Sequence, residues 1–303
     1  MHFNIVGLGE VLWDLLPDGP QLGGAPANFA YHAQALGANT SVITRVGNDQ
    51  RGREIRQRFQ ERHLSVAGVQ QDEAAPTGTV SVTLASGGVP AYVIHENVAW
   101  DFITASPAAL NCVRAAQVVC FGSLAQRHVV SRQSIHRLLS SASATAWRVL
   151  DVNLRQNFFN REVIEHSLKL ANVLKLNDHE LPVVAGMFSV GGDVRHQIQS
   201  LASRFGLQVV AFTCGAEGSL LYRDGQWSQG AAAVANIRDT VGAGDAFTAA
   251  LCMGLLRGLG LEEINSAANR IAAYVCGCAG AMPELPEELR RLLNPDPATP
   301  AEG

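Results

Sequence analysis

The sequence predicts an α/β protein with an open, mostly parallel sheet and a small β-insert. Short apolar segments of strand length alternate along the chain with longer segments of helical length. Polar clusters recur just beyond the carboxyl ends of the predicted strands, which is where open parallel sheets bind ligands. Between Thr77 and Ile103 the alternation stops, and Val80, Val82 and Leu84 alternate with polar residues as in a β-hairpin. We therefore expect the functional residues at one edge of the sheet.

The individual elements follow from apolar periodicity and from turn residues. Strands are predicted over residues 3–8, 41–46, 117–121, 147–151, 173–176 and 208–213, with a further extended segment over residues 10–16. Helices are predicted up to residue 36, up to about residues 62 and 141, and over residues 161–170, 193–205, 244–256, 261–276 and 285–293. We expect one domain over residues 1–293, a lid formed mainly by about residues 10–20 and 77–103, and a flexible tail over residues 294–303.

Composition excludes several classes of protein. A hydrophobic fraction of 47% and a charged fraction of 17% are typical of a globular chain. The net charge of −4 offers no basic surface for nucleic acid. No apolar run reaches transmembrane length, and the first residues lack the charged region of a signal peptide. We expect a cytoplasmic protein that binds neither nucleic acid nor a membrane.

Several common site types do not fit the sequence. The six cysteines form no C-x-x-C pair, and the nine histidines form no H-E-x-x-H motif. Neither Lys169 nor Lys175 follows a glycine-rich loop, which excludes a Walker-type phosphate loop. Gly7 and Gly9 resemble the start of a dinucleotide fingerprint, but Leu12 stands where the third glycine belongs and no helix follows.

The most informative stretch is Asp-Thr-Val-Gly-Ala-Gly-Asp-Ala-Phe at residues 239–247. Gly242 and Gly244 flank Ala243, so the backbone can expose consecutive N–H groups at the start of an apolar helix, which makes an anion site. A carboxylate at Asp245 would repel an anion, but it suits a base that deprotonates a hydroxyl attacking a phosphoryl group. The alternative is that Asp245 is an ordinary helix N-cap.

Other candidate ligand contacts precede the first helix. Gly23 and Gly24 allow the backbone to approach a small polar ligand, and Asn28 offers both a donor and an acceptor. A plain helix cap would explain Asn28 equally well. Asp14 lies between two apolar residues, so it either faces outward from a strand or contacts the ligand.

The predicted hairpin suggests a lid. Asn97, Trp100 and Asp101 lie at its exit and could face a ligand, and closure of the hairpin would exclude water from phosphoryl transfer. A surface hairpin used only for dimerisation is the alternative, since exposed strands readily pair with another chain.

Three further clusters follow predicted strands. Arg155 suits a phosphate, and Asn177 with Glu180 suits a hydrated Mg²⁺. Gly215 and Gly218 would let a nucleotide lie close to the backbone. An exposed surface carboxylate is the ordinary explanation for Glu180, so it is the shared location at strand ends that supports these residues together.

These motifs resemble those of the PfkB or ribokinase-like carbohydrate kinases, from about residue 3 to about residue 290. Two signatures carry the resemblance. One is Gly-Gly-Ala-Pro-Ala-Asn at residues 23–28, continued by Gly37 and Gly47, and the other is the highly specific stretch at residues 239–245. Residues 177–180 agree with the family's N-x-x-E element, and residues 213–218 agree with its T-x-G-x-x-G nucleotide loop.

The resemblance implies a three-layer α/β/α, ribokinase-like fold and an ATP-dependent sugar kinase. Asp245 would be the catalytic base, the backbone of Gly242, Ala243 and Gly244 the anion hole, and Arg155 a contact of the transferring phosphate. The expected substrate contacts are Asp14, Gly23, Gly24, Asn28, Asn97, Trp100 and Asp245. The expected nucleotide contacts are Asn177, Thr213, Gly215, Gly218, Gly242, Gly244 and Asn269. Mg²⁺ would be organised through water by Asn177 and Glu180, and K⁺ or a similar cation by the carbonyls of Asp239 and Val241.

Within the family the chain is similar to bacterial fructokinases. The similarity lies in Gly-Glu-Val-Leu-Trp-Asp at residues 9–14, Asp-Val-Asn-Leu-Arg at residues 151–155 and Gly-Ala-Met-Pro at residues 280–283. It implies phosphorylation of D-fructose to fructose 6-phosphate by a homodimer joined through the lid. The alternatives are a kinase for 2-keto-3-deoxygluconate, ribose or a nucleoside, and a non-catalytic sugar or nucleotide sensor on the same fold.

Overall fold

Thirteen strands form two sheets in a computed structural model that describes residues 3–84, 90–231, 233 and 236–294. In chain order the strands are β1 (Asn4–Leu8), β2 (Leu12–Leu16), β3 (Gly19–Gly23), β4 (Asn39–Gly47), β5 (Val69–Asp72), β6 (Gly78–Leu84), β7 (Pro90–Ile94), β8 (Val118–Phe121), β9 (Trp147–Asp151), β10 (Val173–Asn177), β11 (Val209–Thr213), β12 (Ser219–Arg223) and β13 (Gln226–Gly230).

The helices of the described residues complete the fold. They are α1 (Ala25–Ala35), α2 (Gln50–Glu61), α3 (Pro107–Ala115), α4 (Val129–Ser140), α5 (Arg161–Leu170), α6 (Glu180–Met187), α7 (Val194–Phe205), α8 (Ala243–Leu256), α9 (Leu261–Cys276) and α10 (Glu287–Arg291). None of them combines the length and the apolar character that crossing a membrane requires.

The central sheet is mostly parallel, as predicted. Its nine strands run in the order β13-β12-β11-β10-β9-β8-β1-β4-β5. Pairing is parallel from β11 through to β5, and only β12 and β13 run antiparallel to their neighbours. Parallel pairing brings the carboxyl ends of β1, β8, β9, β10 and β11 to one edge of the sheet, where the loops can cooperate.

Side chains alternate between the two faces of this sheet and create two cores. On β8, Val118 and Cys120 pack with buried residues of α1, α8 and α9, such as Phe29, Phe247 and Ile271. Val119 and Phe121 face the opposite core, with buried residues of α4, α5 and α7. Because a strand presents successive side chains to opposite faces, fully buried strands require a layer of helices on each side. The predicted three-layer α/β/α fold is confirmed.

A second, four-stranded sheet lies in the order β3-β2-β6-β7. The β2–β3 and β6–β7 pairs are antiparallel, whereas β2 and β6 are parallel. Strand β2, from the extended segment at residues 10–16, and strands β6 and β7, from the hairpin region at residues 77–103, therefore lie in one sheet, while β3 was not predicted. That this sheet is a lid stays a prediction. The turn that we expect at Gly87 and Gly88 falls outside the described residues, and so does the predicted tail beyond Asn294.

The structure differs from the prediction at several further elements. Strands β5, β12 and β13, with the sequences Val-Gln-Gln-Asp, Ser-Leu-Leu-Tyr-Arg and Gln-Trp-Ser-Gln-Gly, were not predicted. In β5 and β13 no two apolar residues are consecutive, and β12 has only a short apolar run of three residues. Helices α3 and α6 were also not predicted, and α6 carries Pro182 in its first turn. The single helix expected up to residue 141 is divided, since His128 is extended between a short 3₁₀ turn at Leu124–Gln126 and α4.

Candidate active site

The glycine-rich stretch at residues 239–247, which the sequence predicts to form an anion site, leads into the start of α8. Gly242 adopts a left-handed conformation with a φ of 81°, and its carbonyl accepts the N–H of Ala246 at 2.8 Å. A Cβ added to Gly242 would lie only 2.4 Å from the Ala281 carbonyl oxygen. Conformation and packing both require glycine at this position. The N–H of Ala243 donates to the Thr240 carbonyl at 3.4 Å. The next N–H groups of the first turn lack acceptors within the helix, so they are available to an anion.

The carboxylate of Asp239 fixes the entry to this turn. One oxygen accepts the N–H of Val241 at 3.0 Å, and the other accepts the N–H of Gly280 at 3.1 Å. The side chain of Asp239 is thus engaged in holding backbone, which leaves only carbonyls for the cation role that the resemblance implies for Asp239 and Val241. That role stays a prediction.

Asp245 lies in the first turn of α8 and is 9% exposed. Its Oδ2 accepts a hydrogen bond of 2.8 Å from Asn28 Nδ2, which joins α8 to α1. The pKa of Asp245 is raised from 3.8 to about 6. Burial is the main cause and the negative charge of Asp151 adds to it, whereas the Asn28 hydrogen bond and the charges of Lys175 and Arg155 oppose the rise. A carboxyl group with such a pKa is a competent general base near neutral pH.

A buried ion pair lies next to the same turn. Lys175 Nζ is 3.1 Å from Asp151 Oδ1, and Thr248 donates to Asp151 Oδ2 at 2.9 Å. A Cβ on Gly244 would lie 3.0 Å from Lys175 Nζ, so this glycine lets the ammonium group approach the helix start. Burial alone would lower the pKa of Lys175, but the surrounding carboxylates, chiefly that of Asp151, raise it. Lys175 therefore stays positively charged beneath the turn.

Sequence reasoning missed Lys175 and Asp151 as a pair, although each is visible in the sequence. Asp151 ends β9, and Lys175 pairs with it in the parallel register of β10. A lone lysine inside an apolar strand, matched by a carboxylate on another strand, was the signal that could have identified the pair.

Glu10 is a second buried acid that sequence reasoning did not select. It is 4% exposed, and its Oε2 has no hydrogen-bond partner among the described residues. Its pKa is raised from 4.5 to about 7. Burial is the main cause and the negative charge of Asp245 contributes, whereas a hydrogen bond to the Glu10 backbone and the charges of Arg155 and Arg127 oppose the rise. Asp245 therefore lies close enough to Glu10 to affect its ionisation.

The glycines before α1 line the same region. Gly24 has a φ of 116°, and a Cβ there would lie 2.5 Å from the Glu10 carbonyl oxygen. A Cβ on Gly23 would lie 2.4 Å from Asp14 Oδ2. Asp14 is half-buried, and burial raises its pKa. The structure thus brings Asp14 against Gly23 and brings Asn28 against Asp245, although their contacts with substrate stay predictions.

The residues at the exit of the hairpin are divided between surface and core. Asn97 is exposed and left-handed, with a φ of 57°. Trp100 is fully buried, with the guanidinium of Arg127 stacked 3.9 Å from its ring centroid. Arg127 also makes two hydrogen bonds of 2.8 Å to the carboxylate of Asp101. In this structure Trp100 supports a buried ion pair, and contact of Asn97 or Trp100 with substrate is a prediction.

Arg155 lies exposed in the loop after β9. It donates to Asn153 Oδ1 and to the Leu154 carbonyl, both at 3.1 Å. Its positive charge lowers the pKa values of both Asp245 and Glu10, which places it near the two buried acids. The neighbouring Gln156 donates to the Tyr92 carbonyl at 2.6 Å and so ties this loop to the small sheet.

Asn177 and Glu180 form a compact backbone-binding unit. Asn177 Oδ1 accepts the N–H groups of His179 and Glu180, whereas the Glu180 oxygens accept those of Leu154 at 3.0 Å and Asn177 at 2.9 Å. No cluster of three or more His, Cys, Asp or Glu side chains among the described residues could ligate a metal directly. Each Glu180 oxygen keeps further lone pairs, so this donor set fits a hydrated ion held through water.

The predicted nucleotide loop lies beside this unit. Thr213 pairs with Asn177 in the parallel register of β10 and β11. Gly215 and Gly218 have φ values of 50° and 90° and enclose a short, exposed 3₁₀ turn. Asn269 is buried on α9 and donates to Ser219 Oγ at 2.7 Å. The structure gathers these residues at one end of the sheet, and their nucleotide contacts stay predictions.

Comparisons with known proteins agree with this geometry. The family described as pfkB family carbohydrate kinase matches residues 20–288. This chain belongs to the pfkB family. A fructokinase from Klebsiella pneumoniae is 31% identical to this pfkB kinase over 312 residues, which cover 97% of this chain and all of the relative.

Solved structures share the fold of this pfkB kinase. An uncharacterized sugar kinase from Pyrococcus horikoshii, solved in complex with ATP, is 28% identical with a TM-score of 0.80, covering 95% of this chain and 99% of that one. A fructokinase from Vibrio cholerae, with fructose, ADP and calcium bound, is 24% identical with a TM-score of 0.78, covering 96% and 99%. The predicted family and the predicted ribokinase-like fold are thereby confirmed.

Proposed function

We propose that this carbohydrate kinase transfers the γ-phosphate of ATP to a hydroxyl of D-fructose, giving fructose 6-phosphate and ADP. The observation that carries the proposal is Asp245, a buried carboxyl with a pKa of about 6 in the first turn of α8. Beside it lie the N–H groups of the first helical turn and the positive charge of Lys175. A base next to an anion site is the arrangement that phosphoryl transfer to a hydroxyl requires.

In this proposal Asp245 accepts the proton and the start of α8 stabilises the developing negative charge. Asp245 takes the proton of the sugar hydroxyl as its oxygen bonds to the γ-phosphorus, while the bond to the bridging oxygen breaks and ADP leaves. The N–H groups from Gly242 to Asp245 stabilise the negative charge on the transferring oxygens. Asn28 holds the Asp245 carboxylate by its hydrogen bond of 2.8 Å. Arg155 moves from its exposed position to the phosphate.

The cations in this proposal follow from the donor sets. Bound Mg²⁺ would neutralise charge on the phosphates, and Asn177 with Glu180 would hold it through water. The main-chain carbonyls of Asp239 and Val241 would hold K⁺ or a similar monovalent cation. The Glu180 carboxylate supports this arrangement because it links the β10 end to Leu154 in the Arg155 loop.

The proposed acceptor rests on the relatives. Fructokinases from Klebsiella pneumoniae and Escherichia coli are 31% and 30% identical to this chain over almost its whole length. The fructokinase from Vibrio cholerae that shares the fold was solved with fructose and ADP. In this chain Asp14, Asn28 and the glycines before α1 would contact the sugar hydroxyls.

We also propose that the small sheet is a lid within a single kinase domain, and that two copies associate through it in the cytoplasm. On β7, Tyr92 and Val93 are 58% and 41% exposed. Large apolar side chains on an edge strand favour pairing with a second copy.

Release of ADP from Mg²⁺-ATP, measured by a coupled assay, tests the function directly. The acceptors are fructose, ribose, 2-keto-3-deoxygluconate and a nucleoside, and phosphorus NMR of the product identifies the phosphorylated hydroxyl. We expect fructose to give the highest kcat/KM. Asp245→Asn keeps the shape but removes the base, so kcat should fall by about 10²–10⁴-fold, with little change in nucleotide affinity.

The outcomes of this assay separate the alternatives. Preference for ribose, a nucleoside or 2-keto-3-deoxygluconate would replace fructose as the substrate while keeping the kinase. No ADP with any acceptor would favour a sensor on the same fold. Unchanged turnover in Asp245→Asn would contradict the catalytic role of Asp245.

A further inference from the structure

A buried histidine connects α1 to the segment behind the anion hole. His32 is fully buried, and its Nε2 lies 2.9 Å from the carbonyl oxygen of Ala281, 249 residues away along the chain. A carbonyl oxygen only accepts hydrogen bonds, so Nε2 carries the ring proton and donates it. Burial lowers the pKa of His32 to about 4, although the bond to Ala281 opposes this, so the ring is neutral near neutral pH.

The same carbonyl oxygen touches the first glycine of the anion hole. A Cβ on Gly242 would lie 2.4 Å from the Ala281 oxygen and 2.7 Å from its Cα, so the two backbones are in close contact. Gly242 immediately precedes α8 and sets the direction of the following N–H groups with its φ of 81°. Movement of the Ala281 carbonyl would therefore move Gly242.

The face of α1 that bears His32 also holds the other end of this turn. Asn28, one helical turn before His32, donates to Asp245 at 2.8 Å. Residues four apart share a face of a helix. One face of α1 therefore holds Asp245 directly and Gly242 through Ala281, which are the last and first residues of the proposed anion hole.

Filling space would not by itself require a histidine here. His32 Nδ1 is buried and has no hydrogen-bond partner among the described residues. Burying an unpaired polar atom is unfavourable, and an apolar side chain of similar size would avoid that cost. The hydrogen bond to Ala281 is the contact that distinguishes His32 from such a side chain.

We propose that His32 is a positioning residue for phosphoryl transfer: its Nε2–H fixes the Ala281 carbonyl, which in turn fixes Gly242 and the N–H groups at the start of α8. The inference rests on the proposed role of residues 242–245 as an anion hole. It adds a hydrogen-bond donor on the sugar-binding helix that sets the geometry of the phosphate site.

Two substitutions of His32 separate the effect of losing its hydrogen bond from the effect of losing the volume of its ring. His32→Met fills similar space without a donor, whereas His32→Gln presents a side-chain N–H near the position of Nε2. We expect kcat of His32→Met to fall by about tenfold or more, since a misplacement of about 1 Å can cost about 10²-fold. The KM values for ATP and sugar should change by less than about threefold, and His32→Gln should recover most of the turnover.

Arg257→Met provides the matched control. Arg257 Nη2 donates to the Leu36 carbonyl at 2.8 Å, so it also links α8 to α1 through a side chain and a backbone oxygen. This contact lies at the opposite end of α8 from Gly242. Loss of the Arg257 bond should lower the melting temperature without reducing kcat.

Amide hydrogen exchange gives a readout that needs no turnover. Exchange in the peptide covering residues 240–246 should be faster in His32→Met than in Arg257→Met or His32→Gln. A wild-type protein that releases no ADP would contradict the proposed function, while the exchange rates would still decide whether His32 orders this turn. Wild-type kcat in His32→Met, or exchange equal to that of Arg257→Met, would show that His32 is only a core residue.

Discussion

The pKa values of single residues at this site are shifted because the residues are buried close to other charged groups. Burial raises the pKa values of both Asp245 and Glu10, and a nearby carboxylate also acts to raise each: Asp151 for Asp245, and Asp245 for Glu10. Lys175 is equally buried, but three carboxylates keep it protonated. The result is a carboxyl group that ionises near neutral pH next to a fixed positive charge, which a solvent-exposed aspartate and lysine would not provide.

The raised pKa of Asp245 predicts a pH dependence of catalysis. A base acts only when deprotonated, so kcat/KM for the preferred sugar should rise with pH through about 6 and then level off. Initial rates with Mg²⁺-ATP across a series of buffers of constant ionic strength would measure this.

Glu10 has a pKa of about 7, so its ionisation is a second way to produce a rise of kcat/KM in this pH range. Glu10→Gln distinguishes the two groups, because the limb near pH 6 should persist in this variant if Asp245 produces it. A rate that stays constant down to about pH 4.5 would contradict the raised pKa of Asp245.

Local sequence predicted some of these residues but not others. Gly242, Gly244 and Asp245 were selected from a contiguous glycine-rich stretch before a helix and from its resemblance to a family signature, neither of which needs knowledge of tertiary structure. Their catalytic roles stay predictions. The Lys175–Asp151 pair depends on the register between β9 and β10, and the His32 contact joins residues 249 positions apart. Such contacts arise only when distant segments pack together, so single-sequence patterns do not reveal them.

At the scale of elements, the two glycines of the turn are required for different reasons. Gly242 is required by its positive φ and by the Ala281 backbone behind it, whereas Gly244 leaves room for the Lys175 ammonium group. The start of α8 is therefore shaped from two sides, by the segment at Ala281 and by β10. Both surfaces restrict the directions of the N–H groups at the start of α8, which we propose bind the anion.

Gly242→Ala should lower kcat by more than the loss of protein stability would explain. The added Cβ would meet the Ala281 backbone at 2.4 Å, and backbone cannot move aside as a flexible side chain can. We expect kcat to fall by about 10²-fold or more because the anion hole is displaced. Steady-state kinetics and thermal melting of the same preparations would measure both effects.

Gly258→Ala is the matched control for this substitution. Gly258 also has a positive φ, of 70°, but an added Cβ would meet nothing within 4 Å. It lies just beyond the C-terminal end of α8, so it should lose a similar amount of conformational stability, about 1 kcal/mol, without loss of kcat. Equal kcat values in the two variants would contradict the role of Gly242.

Prediction of elements succeeded where apolar periodicity was strong. The bounds predicted for β9, α5 and α9 agree with the structure. The strands β5 and β13 were missed because each is an edge strand, which needs little apolar character, and its sequence then resembles that of a loop. The strand β12 lies between β13 and β11, and only three of its five residues are apolar. The strand β3 was missed for a similar reason, since its Gly-Pro-Gln-Leu-Gly sequence is typical of a turn.

At the scale of the whole molecule, topology gathers the site from distant parts of the chain. The strand order places the carboxyl ends of β1, β9, β10 and β11 at one edge, where α1 and α8 also begin. Side chains tie the small sheet to this edge, through Gln156 to the Tyr92 carbonyl and through Arg127 to the His95 carbonyl. The lid proposed above would therefore act on the same loop that carries Arg155.

The stability of the whole protein should depend on pH because this topology buries two acidic side chains. Asp245 and Glu10 have folded-state pKa values of about 6 and 7, above their ordinary values of 3.8 and 4.5. Between the two sets of values the folded protein binds more protons than the unfolded chain, so both groups make stability fall as pH rises through this range. Near pH 8 both are ionised and buried, and each then destabilises the fold.

Glu10→Gln should remove one of these contributions and stabilise the protein at about pH 8. We expect a gain of about 1–3 kcal/mol in the free energy of unfolding near pH 8 and little change near pH 4.5, because a shift of one pKa unit corresponds to about 1.4 kcal/mol. Urea unfolding at both pH values would measure the difference, with the exposed Glu96→Gln as the matched control. A gain of the same size at both pH values would show that packing, not ionisation of Glu10, is responsible, and no gain at pH 8 would show that Glu10 carries no buried charge.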